Sequence, residues 1–221
     1  MFKRKESVPA TIKVIIISDV VCPWCVIGYR RFMQAAEQFT AEVKFDVTWY
    51  PFQLNPQMSV QGVNRQEYLM SKYGMSKADV NSMKDNWTQL GAELGFEFDF
   101  FDEMKTLNTL DAHQLIAWAG EVNKQTEMSI ALFDAYFANR QDVSNRKVLL
   151  NIVNELGLDT TEANQMLEEG RYISTIRTEQ NGITNQGIDT VPAMIFNNRF
   201  LISGGQSVDK YKKTIERLIS Q

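Results

Sequence analysis

The chain has 221 residues, 44% of them apolar, and a formal net charge of −4 from 23 basic and 27 acidic side chains. That is enough apolar matter for a sizeable core, and it lacks the basic footprint that phosphate backbones require, so nucleic acid is not an expected partner. No apolar stretch approaches the roughly 20 residues of a membrane-spanning helix, and two cysteines are too few for a disulfide scaffold. These features predict a cytoplasmic chain with no membrane contact.

Residues 1–10 read as a polar tail, in which Lys3, Arg4 and Lys5 precede an apolar run without a small-residue cleavage site, so no secretory leader is expected. Ile12 to Ser18 is almost continuously apolar and β-branched, as a central strand covered on both faces should be. After Cys22, the residues Val26, Tyr29, Phe32, Met33, Ala36 and Phe39 recur at helical spacing, and Pro23 suits a first helical turn because it has no N–H to leave unpaired. Val43, Phe45, Val47 and Trp49 then alternate with polar neighbours up to Pro51, which predicts a second strand and an opening β-α-β unit.

From about Asn55 to Ile176 the pattern is helical, with segments expected near 64–73, 76–91, 108–121, 127–138, 145–156 and 160–169. Asn145 and Thr160 are the expected N-caps of the last two, and Gly157 and Gly170 their stops. A linking helix is expected near 172–186. Ala193 to Phe196 and Arg199 to Ile202 then flank Asn197-Asn198, a dipeptide suited to the positive φ angles of a tight hairpin, and an amphipathic helix follows Ser207.

The predicted fold class is therefore α/β: a thioredoxin-like domain, residues 11–54 and 177–221, interrupted by an all-helical domain, residues 55–176. A right-handed crossover places the N-terminus of the first helix at the carboxyl end of the first strand, where open α/β sheets carry their sites.

The two cysteines stand at that junction as Cys22-Pro23-Trp24-Cys25. This spacing serves either metal binding or dithiol chemistry. A structural zinc needs about four ligands, and two cysteines with one distant histidine fall short, so no metal is expected. At a helix N-terminus, unpaired N–H groups and the positive end of the helix dipole stabilise a thiolate, which makes Cys22 the candidate nucleophile. Cys25 lies one turn further in and is the candidate resolving thiol. Such a cycle needs no cofactor. Thr190-Val191-Pro192 enters the late strand, where either a trans proline simply starts the strand or a cis bond turns the Val191 backbone toward the cysteines.

Ser18-Asp19-Val20-Val21-Cys22-Pro23-Trp24-Cys25, Gly28, Pro51-Phe52-Gln53-Leu54-Asn55-Pro56, Asn108-Thr109 with Ala112-His113, and Val191-Pro192 followed by Ser203-Gly204 resemble the DsbA-like thioredoxin-fold oxidoreductases, and within them the FrnE-like branch. The resemblance spans nearly the whole chain. It implies a cis Pro192 facing the dithiol and disulfide oxidoreductase or isomerase activity. Protein or small-molecule disulfides and thiols are then the expected partners, glutathione among them as a redox partner, with the chain acting as monomer or homodimer. Some FrnE-like chains carry a further C-terminal cysteine pair, which this one lacks. The branch is also similar to the kappa-class glutathione transferases and 2-hydroxychromene-2-carboxylate isomerases, which typically have serine where Cys22 stands.

Pro23, Trp24, Val191, Pro192 and His113 are accordingly the candidate substrate-binding residues. His113 has two open roles, a packed core histidine or a titrating group at the cleft, and only the resemblance favours the second. Phe96, Phe98, Phe100 and Phe101 line either the core or an apolar groove. Three functions follow in order: a thiol–disulfide enzyme, a glutathione-dependent transferase or isomerase for a small apolar substrate, and a redox-sensing binding module.

Overall fold

The computed structural model describes residues 10–220, so the expected tail lies, apart from Ala10, outside the described residues. β1 (Ala10–Ser18) leads into α1 (Pro23–Ala36) and, past a short turn of 3₁₀ helix, into β2 (Val43–Pro51). β3 (Val63–Asn64), α2 (Arg65–Tyr73), α3 (Lys77–Glu93), β4 (Lys105–Thr106), α4 (Leu110–Glu121), α5 (Gln125–Phe133), α6 (Arg146–Glu155), α7 (Thr160–Glu169) and α8 (Ile173–Asn185) follow. The chain closes with β5 (Ala193–Phe196), β6 (Phe200–Ser203) and α9 (Val208–Ile219).

The main sheet has the order β2-β1-β5-β6, with β1 and β2 parallel and the remaining pairs antiparallel. The β-branched run of β1 fits the interior position: Ile12, Val14, Ile16 and Ile17 are all buried. α1 and α9 pack together on this sheet through Phe32, whose ring meets Phe45, Phe196 and Tyr211 edge-on at 5.6, 5.7 and 6.1 Å. At the β5–β6 turn, Asn197 and Asn198 hold φ of 49° and 54°, and Arg199 N–H donates to the Phe196 carbonyl at 2.9 Å, closing a tight left-handed turn between the paired Phe196 and Phe200.

β2 forms one edge of the sheet, and side-chain amides from the helices complete it. The N–H of Trp49 donates to Gln125 Oε1 at 2.8 Å, while Gln125 Nε2 donates back to the Trp49 carbonyl at 3.1 Å. Gln180 of α8 treats Gln53 in the same way, at 2.9 and 3.1 Å. Each glutamine thus presents a peptide-like donor and acceptor to backbone that has no strand partner, Gln125 at the edge of β2 and Gln180 just beyond its end.

Three local expectations are corrected. Asp159, not Thr160, caps α7: its Oδ1 accepts from the N–H groups of Thr161 and Glu162, the shorter reach of a carboxylate one residue earlier. The helix expected over 127–138 begins at Gln125 and widens into a π-helical turn over Asp134–Ala138. The helical stretch also contains a small ladder, Val63–Asn64 against Lys105–Thr106, too short to leave a periodic signal. Phe96 and Phe98 are core residues, and Phe98 stacks on Phe100 at 5.4 Å.

Candidate active site

β1 carries the chain to Ser18, and Cys22 occupies the cap of α1 in extended conformation with Pro23 in the first turn. The turn is held by Cys22 N–H donating to the Asp19 carbonyl at 3.1 Å and Cys25 N–H donating to the Cys22 carbonyl at 3.0 Å. Among the described residues no side chain caps α1, so the first N–H groups of the helix have no capping acceptor. Both thiols are free and buried, 5% exposed at Cys22 and 1% at Cys25. Burial pushes the Cys25 thiol well above its ordinary pKa, and the neighbouring Cys22 adds to the shift.

The Val191-Pro192 bond is cis, as the family resemblance implied, and the Cys22 thiol lies 3.7 Å from the Val191 carbonyl as donor. Gly28 makes this approach sterically feasible, because a Cβ there would sit 2.8 Å from Pro192 Cγ. Beyond β6, Gly204 N–H donates to the Pro192 carbonyl at 2.7 Å and Arg31 Nη1 to the Gly205 carbonyl at 2.7 Å, which ties the loop to α1. Gly205 lies against the Trp24 ring, where a Cβ would come within 2.7 Å of Cε3.

Cys22, Pro23, Trp24 and Val191 open together on a cavity of about 620 Å³. Its far wall comes from the helices, with Arg65, Tyr68, Leu69 and Lys72 of α2 and Met83 and Trp87 of α3, and its floor includes Phe52 and Leu54. The volume falls within the range typical of small-ligand sites. None of the α2 and α3 residues carries a motif; they share helical spacing, but only the docked fold shows that this face turns toward the dithiol.

His113 stands apart from the other candidates. It is 2% exposed, does not line the cavity, and faces the buried carboxylate of Asp19 with Nε2 3.4 Å from Oδ1. The contact is a close approach rather than a directed hydrogen bond, since neither ring nitrogen nor that oxygen has a hydrogen-bond partner among the described residues. Asp19 Oδ2 accepts from Leu54 N–H at 2.8 Å. His113, the fourth residue of α4, thus meets the turn that carries the cysteines rather than the cavity wall.

A thioredoxin-like sheet, an inserted set of helices and a helix-terminal dithiol opposite a cis proline define a thiol–disulfide oxidoreductase in the broad sense. The chain belongs to the DSBA-like thioredoxin domain family, whose model matches residues 13–216. It is similar to the uncharacterized protein YwbO of Bacillus subtilis, 28% identical over 208 residues, covering 93% of this chain and 96% of the relative. Among solved structures it is similar to a probable DsbA oxidoreductase from Streptomyces coelicolor, with 25% identity, a TM-score of 0.89 and coverage of 95% and 91% of the two chains. A 2-hydroxychromene-2-carboxylate isomerase shares the fold at 13% identity and a TM-score of 0.72, over 93% and 95% of the chains. So does the cytosolic disulfide reductase DsbM of Pseudomonas aeruginosa, at 19% identity and 0.64, over 94% and 98%. Among the described residues no helix is long and apolar enough to cross a membrane.

Proposed function

We propose that this protein exchanges thiols and disulfides through Cys22 as nucleophile and Cys25 as resolving thiol, in the FrnE-like branch of its family. The observation that carries the reading is the asymmetry of the pair: Cys22 meets the cavity at the start of α1, while Cys25 is buried behind it with a raised pKa. The Cys22 thiolate attacks a disulfide RS–SR, forms a Cys22–S–S–R bond and releases RS⁻. Cys25 then loses its proton and attacks Cys22, closing the protein disulfide and releasing the second thiol, so two electrons pass from protein to substrate. An extended chain lying along Val191 has a backbone carbonyl to pair with beside the reacting sulfur.

Direction depends on reduction potential, which in this fold spans roughly −270 to −120 mV, and in a cytoplasmic setting the resting dithiol is reduced. Disulfides of proteins or small molecules are the proposed partners, with glutathione as a redox partner; DsbM of Pseudomonas aeruginosa has been crystallised with GSH. The test is insulin reduction together with refolding of a scrambled disulfide substrate, and loss of both activities refutes the reading. The cavity also fits a glutathione-dependent transferase or isomerase. Conjugation that survives Cys22→Ala establishes that second reading.

A further inference from the structure

Arg65 is the first residue of α2, 5% exposed, and part of the cavity wall. Its Nη1 donates to the carbonyl of Val21 at 3.3 Å and to the Tyr136 hydroxyl at 3.2 Å, while its Nε is buried without a partner. The guanidinium carbon lies 5.8 Å from the Trp87 ring centre and 5.9 Å from that of Phe137. Among the described residues it forms no ion pair, and the nearby buried carboxylate, Asp19, faces His113. A guanidinium this buried, with Nε unpaired and only neutral acceptors and ring faces on its inner side, is costly to hold without a counter-charge.

The charge therefore waits for an anion, and its position says which. Arg65 is bonded to the residue immediately before Cys22, so a group held by it sits beside the reacting sulfur. Arg65, Tyr68, Leu69 and Lys72 form one face of α2 at i, i+3, i+4 and i+7, which puts a second cation along the same wall. Lys72 donates to Asn55 Oδ1 at 3.1 Å and lies in more open surroundings. Asp189, on the opposite rim, is the acid that lines the cavity.

We propose that the cavity selects low-molecular-weight disulfides bearing a carboxylate, with that carboxylate on Arg65 and the carbon skeleton against Leu69, Met83 and Trp87. The proposal rests on the exchange reading above and names its substrate class. With Nη1 committed to Val21 and Tyr136 and Nε buried, Nη2 is the donor left to make a charge-assisted hydrogen bond to the carboxylate.

The test is single-turnover oxidation of the reduced protein by the disulfides of mercaptopropionate, mercaptoethanol and cysteamine, which share a two-carbon spacing and carry negative, neutral and positive ends. Each rate constant is divided by that of dithiothreitol with the same disulfide, which removes intrinsic reactivity. The carboxylate disulfide is expected to exceed the ammonium disulfide by about tenfold or more, the scale of one charge-assisted contact. Arg65→Met is expected to bring that ratio within about threefold. If none of the three oxidises the dithiol, the exchange reading has failed. If all three react at equal normalised rates, exchange stands and the anion subsite is overturned. A ratio that survives Arg65→Met overturns it too. Should that variant lose its fold, Arg65→Gln decides: it keeps a polar side chain without the charge, and a ratio unchanged from the native protein counts against the proposal. A carboxylate preference seen only with acidic peptide disulfides overturns the small-molecule assignment.

Discussion

The α carbon of Gly28 faces the ring of Pro192 so closely that an ideal Cβ would stand 2.8 Å from Pro192 Cγ. That contact connects α1, which Cys22 caps and Cys25 lies within, to the segment before β5 that presents the Val191 carbonyl to Cys22. A proline ring is stiff and cannot swing aside. Gly28→Ala gains up to about 1 kcal/mol of helix propensity but must push the two elements apart, at about 1–3 kcal/mol. We expect a net loss of stability in urea unfolding and slower disulfide exchange. A stabilised variant of undiminished rate would show that the contact relaxes freely.

The two thiols should respond differently to replacement. Cys22→Ser is expected to abolish exchange, because the nucleophile is lost. Cys25→Ser keeps the attacking sulfur and loses the resolving one, so mixed disulfides should accumulate on Cys22. Non-reducing electrophoresis and intact mass before and after dithiothreitol read this out. Equal accumulation in both single variants would reverse or erase the assignment of roles.

Much of this was legible in sequence, for identifiable reasons. The period-two alternation of Val43 to Trp49, the β-branched Ile12 to Ile17 and the helical stripe after Cys22 each report a local burial pattern, and Asn197-Asn198 reports backbone dihedrals. The cavity wall did not announce itself. Arg65 and Lys72 look like ordinary surface cations on a polar helix until α2 is docked opposite α1. Gln125 and Gln180 likewise reach backbone groups 76 and 127 positions away, a distance over which no local pattern carries information. His113 was drawn toward the cleft by resemblance, whereas the fold seats it behind the cysteine turn against Asp19.

Asp19 and His113 should prove costly to separate and cheaper to lose together. Both are at most 2% exposed, and Asp19 also accepts the Leu54 N–H. Removing either side chain leaves a buried polar neighbour without its facing group, at about 1–3 kcal/mol, while apolar replacement of both is often milder. Asp19→Leu and His113→Leu are each expected to lower unfolding free energy on that scale. The double variant should lose clearly less than the sum. Strict additivity would mean the two groups do not interact.

The glutamine that pairs the backbone just beyond β2 gives a local stability test. Gln180→Leu removes both partners of the Gln53 peptide, and Gln53 is 6% exposed. An unsatisfied buried polar group costs about 1–3 kcal/mol. The expected outcome is a lower urea midpoint together with faster hydrogen exchange at the Gln53 amide, with the β5–β6 amides protected as before. Exchange unchanged at Gln53 would show that another group has taken over the pairing.

Stability of the reduced protein should fall in alkali because of Cys25. Burial, reinforced by Cys22, raises its folded-state pKa well above the ordinary thiol value near about 8.5. Below that value native and unfolded chains both hold the proton, and the contribution is complete. Between the ordinary value and the raised native one, the unfolded chain has released a proton that the native chain keeps, so rising pH favours unfolding by at most about 1.4 kcal/mol per pH unit. The buried Tyr136 and Tyr211 are shifted upward as well, with the same sign, but their unfolded values lie near about 10 and they enter later. Anaerobic urea unfolding from about pH 7 to 9.5 isolates the thiol. The native chain is expected to lose stability across this window relative to Cys25→Ser, whose side chain does not ionise there. Parallel curves for the two proteins would mean that the Cys25 thiol ionises in the fold as readily as in an open chain.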